Sequence, residues 1–266
     1  MPNQDRDAAA ALTHLDQITR RLRRECPWDR EQDERTIVPH TVEEAYELAD
    51  AAQRGDDGKL LDELGDVLFQ VHFLALLLEE RGAGDLAQVA EHVTQKLIRR
   101  HPHVFGEASH RDAAEQTVAW EAIKAEERAA KDATQSLLDG VPAALPALTR
   151  AEKLTRRAAR VGFTWTTPED VIEKLHEELG ELAVEVAAGD RANMRDEMGD
   201  VLFVCANLAR LLEIDPEDAL RSTNAKFTRR FNWIEQALAE DGRSPEQSDL
   251  TEMDELWNVA KAAEKG

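Results

Sequence analysis

Apolar residues recur along this chain at spacings of three and four, which predicts helices. No alternating apolar run bounded by turn residues reads as a strand. Two segments, Val67–Leu78 (VLFQVHFLALLL) and Val201–Leu212 (VLFVCANLARLL), are apolar nearly all round. Such helices are expected to be buried on more than one side, against a second copy of the chain or against its other half. The first segment is broken by Gln70 and His72 and is too short to span a bilayer.

Each apolar segment grows out of an acidic block, and the blocks repeat. Asp62–Phe69 (DELGDVLF) is echoed by Asp196–Phe203 (DEMGDVLF), and Glu43–Leu48 (EEAYEL) by Glu177–Leu182 (EELGEL), both at an offset of 134 residues. Lys96-x-x-Arg99-Arg100 pairs with Lys226-x-x-Arg229-Arg230 at an offset of 130, and Trp120-x-x-x-Lys124 with Trp257-x-x-x-Lys261 at 137. Ordered blocks with nearly even offsets mark a duplication, with length changes confined to loops. In each repeat the pattern predicts a helix with the first acidic block, a glycine turn (Gly55; Gly189) and a longer apolar helix. A third helix follows with the Lys/Arg block, then a fourth with Trp and Lys. The expected fold is all-α, two tandem four-helix modules. Gly140, Pro142 and Pro146 gather between the helical patterns, which places one domain at 1–135, a linker at 136–148 and a second domain at 149–266.

Composition narrows the function. Across 266 residues, 54 Asp and Glu stand against 33 Lys and Arg, a formal charge of −21. That balance argues against nucleic acid, which needs a basic face, and would be repelled by an anionic membrane surface. It suits cation binding. Cys26 and Cys205 form no CxxC pair and the chain opens on a polar, acidic stretch, so reduced thiols serving as small core residues and a cytoplasmic location are expected. The basic run Arg150, Lys153, Arg156, Arg157 and Arg160 reads as a solvated or interdomain helix face, and His101 and His103 as a helix-ending structural pair.

The acidic blocks carry candidate chemistry. Residues three or four apart share a helix face, so Glu44 projects with Glu47, Glu63 with Asp66, Glu178 with Glu181 and Glu197 with Asp200. Antiparallel packing of the two helices would bring four carboxylates together in each repeat. Each would raise the pKa of its neighbours until a hard divalent cation relieved the repulsion. All-oxygen ligation beside phosphate favours magnesium, with manganese a substitute. A solvated acidic face would not need this register, repeated twice and running directly into an apolar helix. Lys226 with Arg230 and Trp257 with Lys261 lie one turn apart, as do Lys96 with Arg100 and Trp120 with Lys124. A metal with lysine and arginine can hold a polyphosphate and neutralise charge as it is cleaved. No glycine-rich phosphate loop is present, and no Ser or Cys nucleophile sits in a recognisable elbow or dyad, so water is the simplest nucleophile.

The sequence EExxE, fifteen residues, then ExxD resembles the signature of the MazG nucleoside triphosphate pyrophosphohydrolases, and it occurs at Glu43–Asp66 and again at Glu177–Asp200. Cys26–Asp29 (CPWD), Arg99–Gly106, Trp120–Arg128 and the linker are also similar to the two-domain members. CPWD has no counterpart in the second repeat, where Val161–Trp165 (VGFTW) stands. The resemblance implies an all-α homodimer that hydrolyses a nucleoside triphosphate, with magnesium, to the monophosphate and pyrophosphate. It implies that Glu178, Glu181, Glu197 and Asp200 hold the metal while Lys226, Arg230, Trp257 and Lys261 contact the nucleotide. Glu44, Glu47, Glu63 and Asp66, with Lys96, Arg100, Trp120 and Lys124, would do the same in the first copy. Glu177, Glu178, Glu197 and Lys226 become the catalytic candidates, with Glu177, and Glu43 in the first copy, orienting the water that attacks the α-phosphorus. By analogy the second domain is the main site. The rival readings are a helical module that binds nucleotide, or another protein, without turnover, and a di-iron carboxylate bundle. The latter needs Glu-x-x-His on two helices, whereas Glu107-x-x-His110 lies in a polar stretch that reads as a loop.

Overall fold

Short-range chemistry starts nearly every helix. The side chains of Asp7, Asp33, Asp56, Asp85, Asp190, Asp215 and Asp249 accept hydrogen bonds from backbone N–H groups of the adjoining first turn. A cap of this kind is worth about 1 kcal/mol, so part of the acidic surplus serves folding and not chemistry. The structure, a computed structural model, describes residues 7–264 apart from 107–111, 113, 114, 117, 118, 121, 125, 126 and 128–135. The chain divides into two compact units, Met1–Lys131 and Asp132–Gly266.

The first unit contains α1 (Ala8–Glu25), α2 (Pro27–Glu31), α3 (Glu34–Arg54), α4 (Asp57–Glu80), α5 (Leu86–Arg100) and α6 (Pro102–Phe105). The described residues between 115 and 127 are helical too. The second contains α7 (Ala147–Ala159), α8 (Pro168–Ala188), α9 (Arg191–Leu211), α10 (Pro216–Glu240), a 3₁₀ turn at Pro245–Gln247 and α11 (Leu250–Ala263). No strand occurs among the described residues, and no described helix is long and apolar enough to cross a membrane. The helices expected in each repeat are present; the first set is preceded by α1 and α2, the second by α7.

Both acidic hairpins, α3–α4 and α8–α9, turn on a Gly-Asp pair. Gly55 and Gly189 cap the first helix with φ of 66° and 75°, a left-handed conformation that costs glycine nothing. Asp56 and Asp190 at once cap the next helix. A connection this short forces the two helices antiparallel and fixes their register.

In the first unit Ile37 of α3 packs on Phe73 and Leu77 of α4, with Phe69 and Leu74 against them. The second half of α4 also receives α1, through the ion pairs Arg20–Glu79 and Arg23–Glu80, and the Arg23 guanidinium lies 5.8 Å from the centre of the Phe73 ring. In the second unit α7 packs on α9 and α10, and α10 on α11. The buried side chains there include Ala151, Val171, Val204, Ala206, Ile234, Leu238 and Ala260.

Three expectations need adjustment. α4 is covered on more than one side only in its second half, where no residue from His72 to Leu78 is exposed; its first half is open on one side. Leu64, Leu68 and Val71 form an exposed stripe, and their counterparts Met198, Leu202 and Cys205 on α9 are exposed as well. The cysteines are therefore not core residues: Cys26 is half-buried and Cys205 lies on that open stripe. The segment expected to be a linker is folded onto the second unit. Val141 is buried, and the Arg157 guanidinium of α7 donates to the carbonyls of Leu137 (3.4 Å), Asp139 and Gly140 (3.3 Å).

Candidate active site

The hairpins gather carboxylates as helical spacing and antiparallel register require. One oxygen from each of Glu44, Glu63 and Asp66 lies within 4.8 Å of the others, and the same holds for Glu178, Glu197 and Asp200. Three acids converge in each unit, not four. Glu47 and Glu181 stand three residues beyond Glu44 and Glu178, hence about 4.5 Å further along the helix, and both are exposed. They are still close enough to be felt. The Glu44 carboxyl is pushed above its ordinary range by burial, then by Asp66, Glu47, Glu63 and Glu43. Burial and then Glu181, Asp200, Glu178 and Asp196 do the same to Glu197. Each cluster thus holds negative charge that its own surroundings leave under-compensated, and its donors are all hard oxygens. That set fits a hard divalent cation and offers nothing to a soft one.

The two clusters are closely similar but not identical. In the first, the buried member is Glu63 on the second helix, 4% exposed, and the Lys59 ammonium lies 3.3 Å from it. In the second, the buried member is Glu178 on the first helix, 6% exposed, and Lys174 reaches both it (2.9 Å) and Glu177 (2.7 Å). The repeat places Asn193 opposite Lys59 and His40 opposite Lys174. His40 sits 3.7 Å from Glu43, and Trp28 of the CPWD segment meets it edge-on at 5.9 Å. Each lysine stands four residues before its glutamate, a spacing the sequence shows, but the two occupy positions that are not equivalent, so comparing the repeats passes over them.

The basic residues form a second constellation. Arg230, near the middle of α10, is paired with Glu264 and lies 5.3 Å from the Trp257 ring on α11. Phe227 packs on Trp257 at 5.3 Å and stacks on Phe231 at 6.1 Å. Lys226 and Lys261 are exposed beside them in sequence, and the Lys226 charge contributes to holding the Glu264 carboxyl down. The first unit repeats the plan: Arg100 pairs with Glu127 and lies 5.4 Å from Trp120, whose ring meets His101 at 4.7 Å. His101 is anchored through Nδ1, 2.6 Å from the Leu97 carbonyl. Lys124 and Trp120 are half-buried, and Lys96 lines a cleft between α4 and α5 with Leu78, Asp85, Gln88, Val89 and His92. Glu127 and Glu264 are not among the residues expected from the sequence, although a signal for them exists. Both stand seven residues after the repeated Trp, at the same offset of 137. Glu107 and His110, the residues of the di-iron reading, lie outside the described residues.

Comparison with known proteins agrees with this architecture. The profile of the MazG nucleotide pyrophosphohydrolase domain matches residues 32–105 and again 166–234, each match containing one acidic hairpin. The chain is 46% identical over 241 residues to a nucleoside triphosphate pyrophosphohydrolase of Escherichia coli (strain K12), covering 90% of this chain and 91% of that one. It is 38% identical over 262 residues to the nucleoside triphosphate pyrophosphohydrolase/pyrophosphatase MazG of Thermotoga maritima, covering 98% and 99%. It is 41% identical over 241 residues to the uncharacterized protein YabN of Bacillus subtilis, covering 90% of this chain and 49% of that longer one. Two matched domains, each built round a converging carboxylate triad, make this chain a member of the MazG nucleotide pyrophosphohydrolase family.

Proposed function

We propose that the chain hydrolyses nucleoside triphosphates to nucleoside monophosphate and pyrophosphate with magnesium, for which manganese can substitute. The observation that carries this reading is the convergence of Glu178, Glu197 and Asp200, and of Glu44, Glu63 and Asp66, in a chain similar over most of its length to nucleoside triphosphate pyrophosphohydrolases. The triads, with Glu181 and Glu47 one turn along, would hold the metal. When bound, the ion would screen these carboxylates, draw in the phosphate oxygens and acidify water at the site.

The remaining work falls to the chain's own groups. Glu177, steadied by Lys174, orients a water and takes its proton as the water oxygen bonds to the α-phosphorus; Glu43 does so in the first unit. The bond from that phosphorus to the bridging oxygen breaks, and pyrophosphate leaves with the electron pair. Lys226, Arg230 and Lys261 offset the charge on the triphosphate, and Trp257 lies along the nucleoside. Lys96, Arg100, Lys124 and Trp120 are their counterparts. The Phe227–Phe231–Trp257 cluster gives the second unit a larger aromatic surface than the first, where Leu97 and His101 stand, which supports the second as the main site. The exposed stripes on α4 and α9 support a homodimer, since a soluble monomer rarely leaves matching apolar helix faces open. Free cysteines support a cytoplasmic setting.

The test is to separate the products formed from each common ribo- and deoxyribonucleoside triphosphate with magnesium. Monophosphate plus pyrophosphate is expected; diphosphate plus orthophosphate would place cleavage at the wrong bond. Glu197→Gln is expected to abolish turnover in the second unit, and adding Glu63→Gln to remove what is left. Activity surviving both changes would refute the carboxylate assignment. Calorimetry should show magnesium binding weakened by the same changes, which separates metal loading from chemistry.

A further inference from the structure

We infer that Glu264, and Glu127 in the first unit, are positioning residues that set the Arg230 and Arg100 guanidinium groups in advance for the triphosphate. This rests on the reading that those arginines meet the nucleotide.

A guanidinium has a side edge of Nε and one Nη, a terminal edge of both Nη atoms, and two flat faces. In the second unit, Oε2 of Glu264 accepts from Nε (2.9 Å) and Nη2 (2.6 Å) of Arg230, which occupies the side edge. The Trp257 ring lies 5.3 Å from the guanidinium carbon. Nη1 takes no part in the grip and remains for a ligand oxygen. In the first unit, Oε2 of Glu127 accepts from Nε (3.2 Å) and Nη2 (2.6 Å) of Arg100, and Trp120 lies 5.4 Å away. The second oxygen of each carboxylate faces the neighbouring arginine, Arg99 at 2.6 Å and Arg229 at 3.6 Å.

The same atoms make the same bonds although the two frameworks differ. The arginine and glutamate are 27 residues apart in the first copy and 34 in the second. An ion pair serving only to pin two helices has no need to keep one edge of the arginine and one aromatic partner through such a change of loop length. Preorganisation explains it: an arginine held in one rotamer before binding has already lost the freedom that a mobile one would give up with each ligand. The arrangement does not use up the positive charge. One carboxylate faces Arg229, Arg230 and Lys226, and all three hold it below its ordinary range, Arg230 most strongly. Side-on contact also argues against the carboxylate acting as a mimic of the phosphate, which would take the terminal edge.

The experiment uses the full chain carrying Glu63→Gln, so that turnover reports the second unit, and the nucleoside triphosphate with the highest turnover. Glu264→Ala is expected to raise KM about tenfold while kcat changes less than about twofold. Glu264→Gln, which keeps an acceptor oxygen and the side chain's length, should restore most of the loss. The inhibition constant of inorganic tripolyphosphate should move in parallel, because the arginine serves the phosphates and not the base. Arg230→Ala should raise KM by itself, and adding Glu264→Ala to it should do nothing more. A lower melting temperature with KM unchanged would make Glu264 a strut between α10 and α11 and overturn the inference. A lower KM in Glu264→Ala would make it a competitor of the substrate and overturn it equally. If Arg230→Ala left KM unchanged, the failure would lie in the assignment of Arg230 to the nucleotide.

Discussion

Individual acids in this chain do different work according to what faces them. Glu252 accepts from both terminal nitrogens of Arg243 and from the Ser248 hydroxyl, so its carboxyl is held down to about 2 from a usual value of 4.5. A depressed folded-state pKa stabilises the fold above the unfolded value and loses that contribution as pH falls through the folded one. Glu252→Gln is therefore expected to lower the melting temperature at pH 7, with the gap to the parent chain closing between about pH 4.5 and pH 2. A gap that persisted at pH 2 would show that the glutamate acts through shape and not charge. Glu44 and Glu197 face the opposite situation, pushed above the ordinary range by burial and then by the other carboxylates around them. The spacing of these acids was legible in the sequence because residues three apart on a helix share a face whatever the rest of the fold does. The partners were less so. Lys59 and Lys174 stand one turn from Glu63 and Glu178 on the same helices but at positions the two repeats do not share, and Glu264 reaches an arginine 34 residues away, a pairing that helical spacing alone does not show.

At the scale of the element, the acidic hairpin depends on one left-handed residue. Nothing lies within 4 Å of a Cβ built at Gly189, so the cost of alanine there is the backbone's own at a φ of 75°. Gly189→Ala is expected to destabilise by about 1 kcal/mol, a fall of about 2–4 °C in melting temperature. Gly199, inside α9 between Glu197 and Asp200, provides the contrast. A Cβ there also meets nothing within 4 Å, but the conformation is helical, so Gly199→Ala should raise stability by up to about 1 kcal/mol. A loss at Gly199 would mean that something besides the chain's own atoms, such as a second copy, packs at that position. The helices, their order and the glycine turns were readable from period and capping residues, which act locally. α1 carries none of the repeated blocks and lies upstream of both the acidic block and the CPWD segment, so the repeat does not announce it.

The molecule as a whole is one plan used twice, with small departures that the offsets already record. Open stripes recur at equivalent positions, Leu64, Leu68 and Val71 against Met198, Leu202 and Cys205, so the surfaces left uncovered were inherited together with the site. The sequence pattern showed that these helices are apolar on more sides than one helical neighbour can cover, but not which side stays open, because that depends on where α1 and α7 pack. The seam between the halves is the least legible part. Prolines and glycine at 136–148 read as a connector, whereas Arg157 and Val141 bind that stretch to the second unit. Anyone separating the halves therefore has to cut upstream of it. A fragment begun at residue 149 would lack the three carbonyls that receive the Arg157 guanidinium, and it would uncover the surface that Val141 occupies. A fragment begun at residue 136 keeps both, and it should melt higher and resist proteolysis longer than the shorter one; equal behaviour would mean that the stretch is a passenger on the second unit.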